Sequence, residues 1–158
     1  MYERILVPLD GSKVGEAALP YVEEFVSKLA AGTKVEVTLL QVVSSLAHYV
    51  IAGEASASIP YTEKEMEQIK KKAIDYLDKV GEGLRSKGAI VRTKVETGNA
   101  AKGINKVADE TNADLIAMST HGRSGFSRLA LGSVTDKVLR GGDIPVLVVR
   151  VPKEAEKT

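Results

Sequence analysis

The sequence predicts an α/β fold: one doubly wound, open, parallel five-stranded sheet, strand order 3-2-1-4-5, with helices on both faces. Three observations predict it. Short apolar, β-branched runs alternate with stretches of helical period along the whole chain. The run VEVTLLQVV, Val35 to Val43, is nearly continuous in apolar character at its end, as expected of a strand covered on both faces. The length, 158 residues, suits one domain with a substantial core. That domain is expected over 1–152, with 153–158 as a C-terminal tail.

The first strand is Ile5 to Val7, and the PLDGS that follows it is turn chemistry leading to a helix cap. The first helix carries Ala17, Ala18, Tyr21, Val22, Phe25, Val26 and Leu29 on its inner face. Pro20 interrupts that period and is expected to bend the helix near Glu16 by removing a backbone donor. After the second strand, Ser44 to Tyr61 has small residues, a glycine and Pro60 without a period, and is expected to be a flexible loop or lid. Met66, Ile69, Ala73, Leu77, Val80 and Leu84 mark the second helix, with Lys70, Lys71 and Lys72 on a solvated face. AIVRTKVE alternates as a third strand near an edge, and Gly98 and Asn99 turn the chain into a third helix. ADLIAMS is the fourth strand. GSVTDKVLRGG reads as a last helix, with Asp136 in its first turn and Arg140 in its last, before the closing strand IPVLVVR.

Composition excludes several function classes. With 22 basic and 21 acidic residues the formal charge is +1, so no global field holds nucleic acid or an acidic membrane. The chain has no cysteine, hence no disulfide and no thiolate chemistry. The N-terminal residues lack a secretory pattern, and runs such as PVLVV are far short of the roughly 20 residues that span a bilayer, so a cytoplasmic protein is expected. No His, Asp or Glu cluster has metal-ligand spacing. His121 has no partner at a recognisable catalytic spacing, and His48 lies in the irregular stretch.

In an open parallel sheet, ligands bind beyond the carboxyl ends of the strands where strand order reverses. The two loops there richest in special residues are Pro8 to Ser12 and Ser119 to Gly132. Gly122 and Gly125 allow backbone amides to approach an anion, and Gly132 and Ser133 stand where the last helix starts, which is phosphate-site chemistry; on the pattern alone the same glycines also read as turn residues. The helix dipole alone contributes about 0.3–1 kcal/mol, so several amides must act together with Ser133, Thr135 and Arg123. Neither GxxxxGK[ST] nor GxGxxG is present. Asp10 is open to two readings, a ligand or a cap for the turn at Ser12.

The motifs ILVPLDGS, LLQVV, TGNAA, MSTHGRSG, LGSVTDKVL and PVLVV, spread over nearly the whole chain, resemble the universal stress protein family. Its nucleotide loop is G-x2-G-x9-G-[ST], and here nine residues separate Gly122 from Gly132 and Ser133. The resemblance to the ATP-binding branch implies that Gly122, Arg123, Ser124, Gly125, Gly132, Ser133, Val134 and Thr135 hold phosphates. Ser119 and His121 belong to the same loop. Pro8, Leu9 and Asp10 would border the nucleoside, and Val42 and Met118 would flank adenine. ATP is the implied ligand, with Mg²⁺ or Mn²⁺ riding on its phosphates. The family's first glycine is Ser119 here: if that position needs positive φ the site weakens, and if a small residue suffices nothing is lost. The resemblance further implies a homodimer through the final strand, Pro145 to Arg150.

The function so implied is a regulatory nucleotide-binding protein of the stress response with little or slow hydrolysis. The alternatives are a nucleotide-free interaction module, against which the Gly122 to Ser133 spacing stands, and a weak ATPase. An adenylating enzyme would carry an SGGxDS-like loop where this chain has PLDGSK, and the acidic residues of a receiver domain are missing.

Overall fold

The computed structural model describes residues 3–29, 31–51, 55–120 and 131–151. Strand β1 (Arg4–Leu9) leads through a 3-10 turn (Val14–Ala18) into helix α1 (Leu19–Lys28) and strand β2 (Glu36–Val43). A hairpin follows, β3 (Leu46–Ile51) and β4 (Ala55–Pro60), then α2 (Glu63–Ser86) and β5 (Ile90–Thr97). Helix α3 (Ala100–Glu110), strand β6 (Leu115–Ser119), helix α4 (Ser133–Gly141) and strand β7 (Val146–Val149) complete the order.

The main sheet is parallel, in the order β5-β2-β1-β6-β7, which is the expected 3-2-1-4-5 pattern. Central β1 is buried on both faces, with Ile5, Leu6 and Val7 at 2%, 0% and 0% exposure. Its side chains alternate between two cores. Ile5, Val7 and Leu9 pack with Leu19, Val22 and Leu77 of α1 and α2, while Leu6 packs with Ile104, Val107 and Val138 of α3 and α4. Burying each large aliphatic side chain contributes about 1.5–3 kcal/mol, and this double burial is what makes the runs nearly continuous.

Local chemistry sets the helix starts. Thr62 and Glu65 form a reciprocal capping box at α2, and Asn99 Oδ1 accepts from the Lys102 N–H at α3. Lys70, Lys71 and Lys72 are exposed, as a solvated face requires.

Two expectations are corrected. The stretch read as a flexible loop or lid is an antiparallel hairpin, paired from Leu46 opposite Pro60 to Ile51 opposite Ala55. Pro60 occupies the last position of a strand in a two-stranded sheet, where a missing N–H costs least. Small residues such as Ala55, Ser56, Ala57 and Ser58 carry little strand preference of their own, so cross-strand bonding makes the element. Pro20 also does not bend a longer helix. The 3-10 turn ends at Ala18 and α1 begins at Leu19, so Pro20 lies in the first turn, where its absent N–H would have no partner.

Among the described residues no helix is long and apolar enough to cross a membrane, and no group of three His, Cys, Asp or Glu residues could hold a metal.

Candidate functional site

Strand order reverses between β1 and β6, so the carboxyl ends of β2, β1 and β6 stand side by side. Pro8 and Leu9 end β1, Val42 is the penultimate residue of β2, and Met118 and Ser119 end β6. Val42 and Met118 both join the α3 and α4 core, giving an apolar floor on that face. Helix α3 comes close because Gly103 faces Val42, where a β-carbon would stand 3.0 Å from Val42 Cγ2. Leu9 points the other way, into the α1 and α2 core, at 5% exposure. Only its backbone can border a ligand on the Val42 side.

The first loop is locked by its own polar groups. Asp10 Oδ1 accepts hydrogen bonds from the Ser12 N–H at 2.9 Å and the Ser12 hydroxyl at 2.5 Å, and Ser12 Oγ accepts from the Gly15 N–H at 3.1 Å. Gly11 holds φ +84°, a conformation that favours glycine. Gly15 has no room for a side chain, since a β-carbon would lie 2.5 Å from Asp10 Oδ1. Asp10 therefore acts as a turn former, whatever further role it has. Ser12 is expected only as the end of the Pro8 to Ser12 loop, with the D-G-S triplet as the signal for the turn, and nothing local marks Gly15.

The second loop leaves β6 and returns at α4. His121, Gly122, Arg123, Ser124 and Gly125 lie outside the described residues. Ser119 lies within β6, opposite Val149 of β7, and is 7% exposed. Among the described residues Asn112 alone combines a side chain with positive φ, so Ser119 has ordinary extended backbone. The Thr120 N–H donates to Val149 O at 2.8 Å, and Thr120 O accepts from the Gly132 N–H at 2.7 Å. Both ends of the loop thus meet at one point.

Helix α4 starts with Gly132 as its N-cap and no side-chain cap. Its first internal bond runs from the Asp136 N–H to Gly132 O, which leaves the Ser133, Val134 and Thr135 amides as the leading donors of the helix. Ser133 and Val134 are exposed, whereas Thr135 is 2% exposed. The Thr135 hydroxyl donates to Ser119 O at 3.0 Å, with Thr120 O at 3.4 Å. The topology brings together the strand ends carrying Pro8, Asp10, Val42, Met118 and Ser119 and the α4 start, but four predicted side chains are buried: Leu9 in the α1 and α2 core, Met118 in the α3 and α4 core, and Ser119 and Thr135 between β6 and α4.

Behind the first loop lie two buried oxygens that have no hydrogen-bond partner among the described residues, Gln41 Oε1 and the Tyr76 hydroxyl. Burial first, then the charges of Glu16 and Asp10, pushes ionisation of Tyr76 well above its ordinary 10.0.

The model of the universal stress protein family matches residues 1–150. The chain belongs to the universal stress protein family. It is 31% identical over 154 residues to universal stress protein MJ0531 of Methanocaldococcus jannaschii, covering 98% of this chain and 85% of that one. The structure of MJ0577 from the same organism superposes with a TM-score of 0.75 at 26% identity, over 97% of this chain and 99% of the other. A universal stress protein of Archaeoglobus fulgidus in complex with dAMP shares the fold, with a TM-score of 0.60 at 18% identity, covering 94% and 98%. In this universal stress protein the hairpin β3–β4 fills the connection between β2 and α2.

Proposed function

We propose that this universal stress protein is a regulatory adenine-nucleotide-binding protein of the ATP-binding branch, acting in the cytoplasm in the stress response, with little or slow hydrolysis. The observation that carries the reading is the start of α4: a glycine N-cap, no side-chain cap, and the Ser133, Val134 and Thr135 amides ahead of the first internal bond. Donors of this kind suit an anion, and hydrogen bonds to a charged group contribute about 1.5–3 kcal/mol each. The apolar pair Val42 and Met118 on the same side suits a flat base. The fold has held an adenine nucleotide in the Archaeoglobus fulgidus protein.

In this reading Gly122, Arg123, Ser124 and Gly125 complete the phosphate cradle with Ser133, and Pro8 and Asp10 border the ribose. His121 lies in that loop, and no residue is assigned a catalytic role. Mg²⁺ or Mn²⁺ would be held chiefly by the phosphates. Residues 1–152 form the binding domain and 153–158 a tail. A homodimer forms through Pro145 to Arg150: β7 is a sheet edge of uncharged residues, with Leu147 at 41% exposure. Light scattering at micromolar concentration is expected to give the dimer mass.

The deciding experiment denatures the purified protein and identifies released nucleotide by absorbance and chromatography, then measures ATP binding to wild type, Gly132→Val and Gly122→Val. Retention or binding of ATP by wild type and its loss in both variants is expected. A wild type that neither retains nor binds ATP overturns the proposal in favour of a nucleotide-free module, and normal binding by both variants removes the phosphate site from this loop.

A further inference from the structure

We infer that Thr135 is the positioning residue of the phosphate site: its hydroxyl, not its contact with ligand, fixes the start of α4 against the end of β6. The inference rests on the proposed nucleotide reading and deepens it. Thr135 is 2% exposed, which withdraws its side chain from any ligand at the exposed Ser133 and Val134. Its hydroxyl reaches back 16 residues to Ser119 O at 3.0 Å, with Thr120 O at 3.4 Å. The Gly132 N–H donates to Thr120 O at 2.7 Å.

Two consequences follow. The direction in which the leading amides of α4 point is set relative to β6, and a donor placed about 1 Å away from its productive position loses much of its effect. The same bonds also engage the carbonyl oxygens of Ser119, the last residue of β6, and of Thr120 after it, so these acceptors are occupied within the protein. Thr120 is in turn tied to Val149 of β7 through its N–H at 2.8 Å, so the clamp is anchored in the sheet.

Valine has nearly the shape of threonine and lacks only the hydroxyl function; serine keeps the hydroxyl and lacks the methyl. The test measures affinity for ATP and for adenosine in wild type, Thr135→Val and Thr135→Ser, together with amide hydrogen exchange at Gly132 without ligand. Thr135→Val is expected to weaken ATP binding tenfold or more while adenosine binding changes less than twofold, and to speed Gly132 exchange at least tenfold. Thr135→Ser is expected to restore both. If Thr135→Val does not fold, Thr135→Ala against Thr135→Ser makes the same comparison.

Unchanged ATP affinity and unchanged Gly132 exchange in the variant without the hydroxyl overturn the inference. Equal losses for ATP and adenosine also overturn it, since a general loosening of the site would not single out the phosphates. Failure of wild type to bind any nucleotide overturns the proposed function and the phosphate role together. Exchange at Gly132 then still separates a working clamp from none.

Discussion

Replacing Ser119 by glycine restores the family's first loop glycine and asks whether the serine weakens the site. Ser119 has extended backbone, pairs with Val149 in the sheet, and has its carbonyl held by Thr135. Glycine has no conformational advantage in that setting and costs about 0.5–1 kcal/mol in strand entropy. For a domain of this size 1 kcal/mol moves the melting temperature by about 2–4 °C, so a fall of about 1–4 °C is expected. ATP affinity by isothermal titration calorimetry should stay within about twofold, because the donors at α4 are held by bonds that Ser119→Gly leaves in place. A tenfold gain in affinity, about 1.4 kcal/mol, would refute the reasoning and show that residue 119 takes a left-handed conformation when ligand binds.

Three further outcomes are expected. Gly81→Ala should lower the melting temperature while Gly83→Ala should not: a β-carbon at Gly81 stands 2.9 Å from Val91 Cγ1 and 3.3 Å from buried Leu39, whereas at Gly83 it meets the movable carboxylate of Glu23 at 2.5 Å. Helix propensity favours alanine by about 1 kcal/mol at both, and overpacking costs about 1–3 kcal/mol at Gly81 alone, so equal melting shifts would contradict this packing. Tyr76→Phe removes a buried hydroxyl that has no partner among the described residues, and should be neutral or stabilising by up to about 1 kcal/mol in urea denaturation; a loss above that would reveal a bond the hydroxyl makes. Lys94 pairs with Glu110 and Glu96, and Lys106 pairs with the same two, so the hydrogen bond from Lys94 lowers the Glu110 carboxyl below 4.5 and that to Glu110 raises Lys94 above 10.5. The stability difference between wild type and Lys94→Met should therefore be steady between 4.5 and 10.5, shrinking as pH falls below the first through the lowered Glu110 value or rises above the second through the raised Lys94 value; a difference unchanged in acid would exclude the pair as its source.

The five main strands were legible from Ile5 to Val7, the Val35 to Val43 run, AIVRTKVE, ADLIAMS and IPVLVVR: burial on both faces demands apolar residues at nearly every position of a central strand, whereas the edge strand Ile90–Thr97 shows itself by alternation. The turn into the third helix at Gly98 and Asn99, the turn in D-G-S at Gly11 and the helix start at Gly132 and Ser133 were legible for a related reason: turns and helix ends are set by residues within a few positions of one another. Tertiary structure decided what depends on partners far along the chain. It paired Leu46 with Pro60, where local preference is weak, and started α1 late enough to place Pro20 in a first turn. It turned Leu9 into the opposite core and directed the Thr135 hydroxyl onto the carbonyl of Ser119. A residue's type limits the bonds it can make; which one it makes is settled by the groups that folding brings within about 3 Å of it.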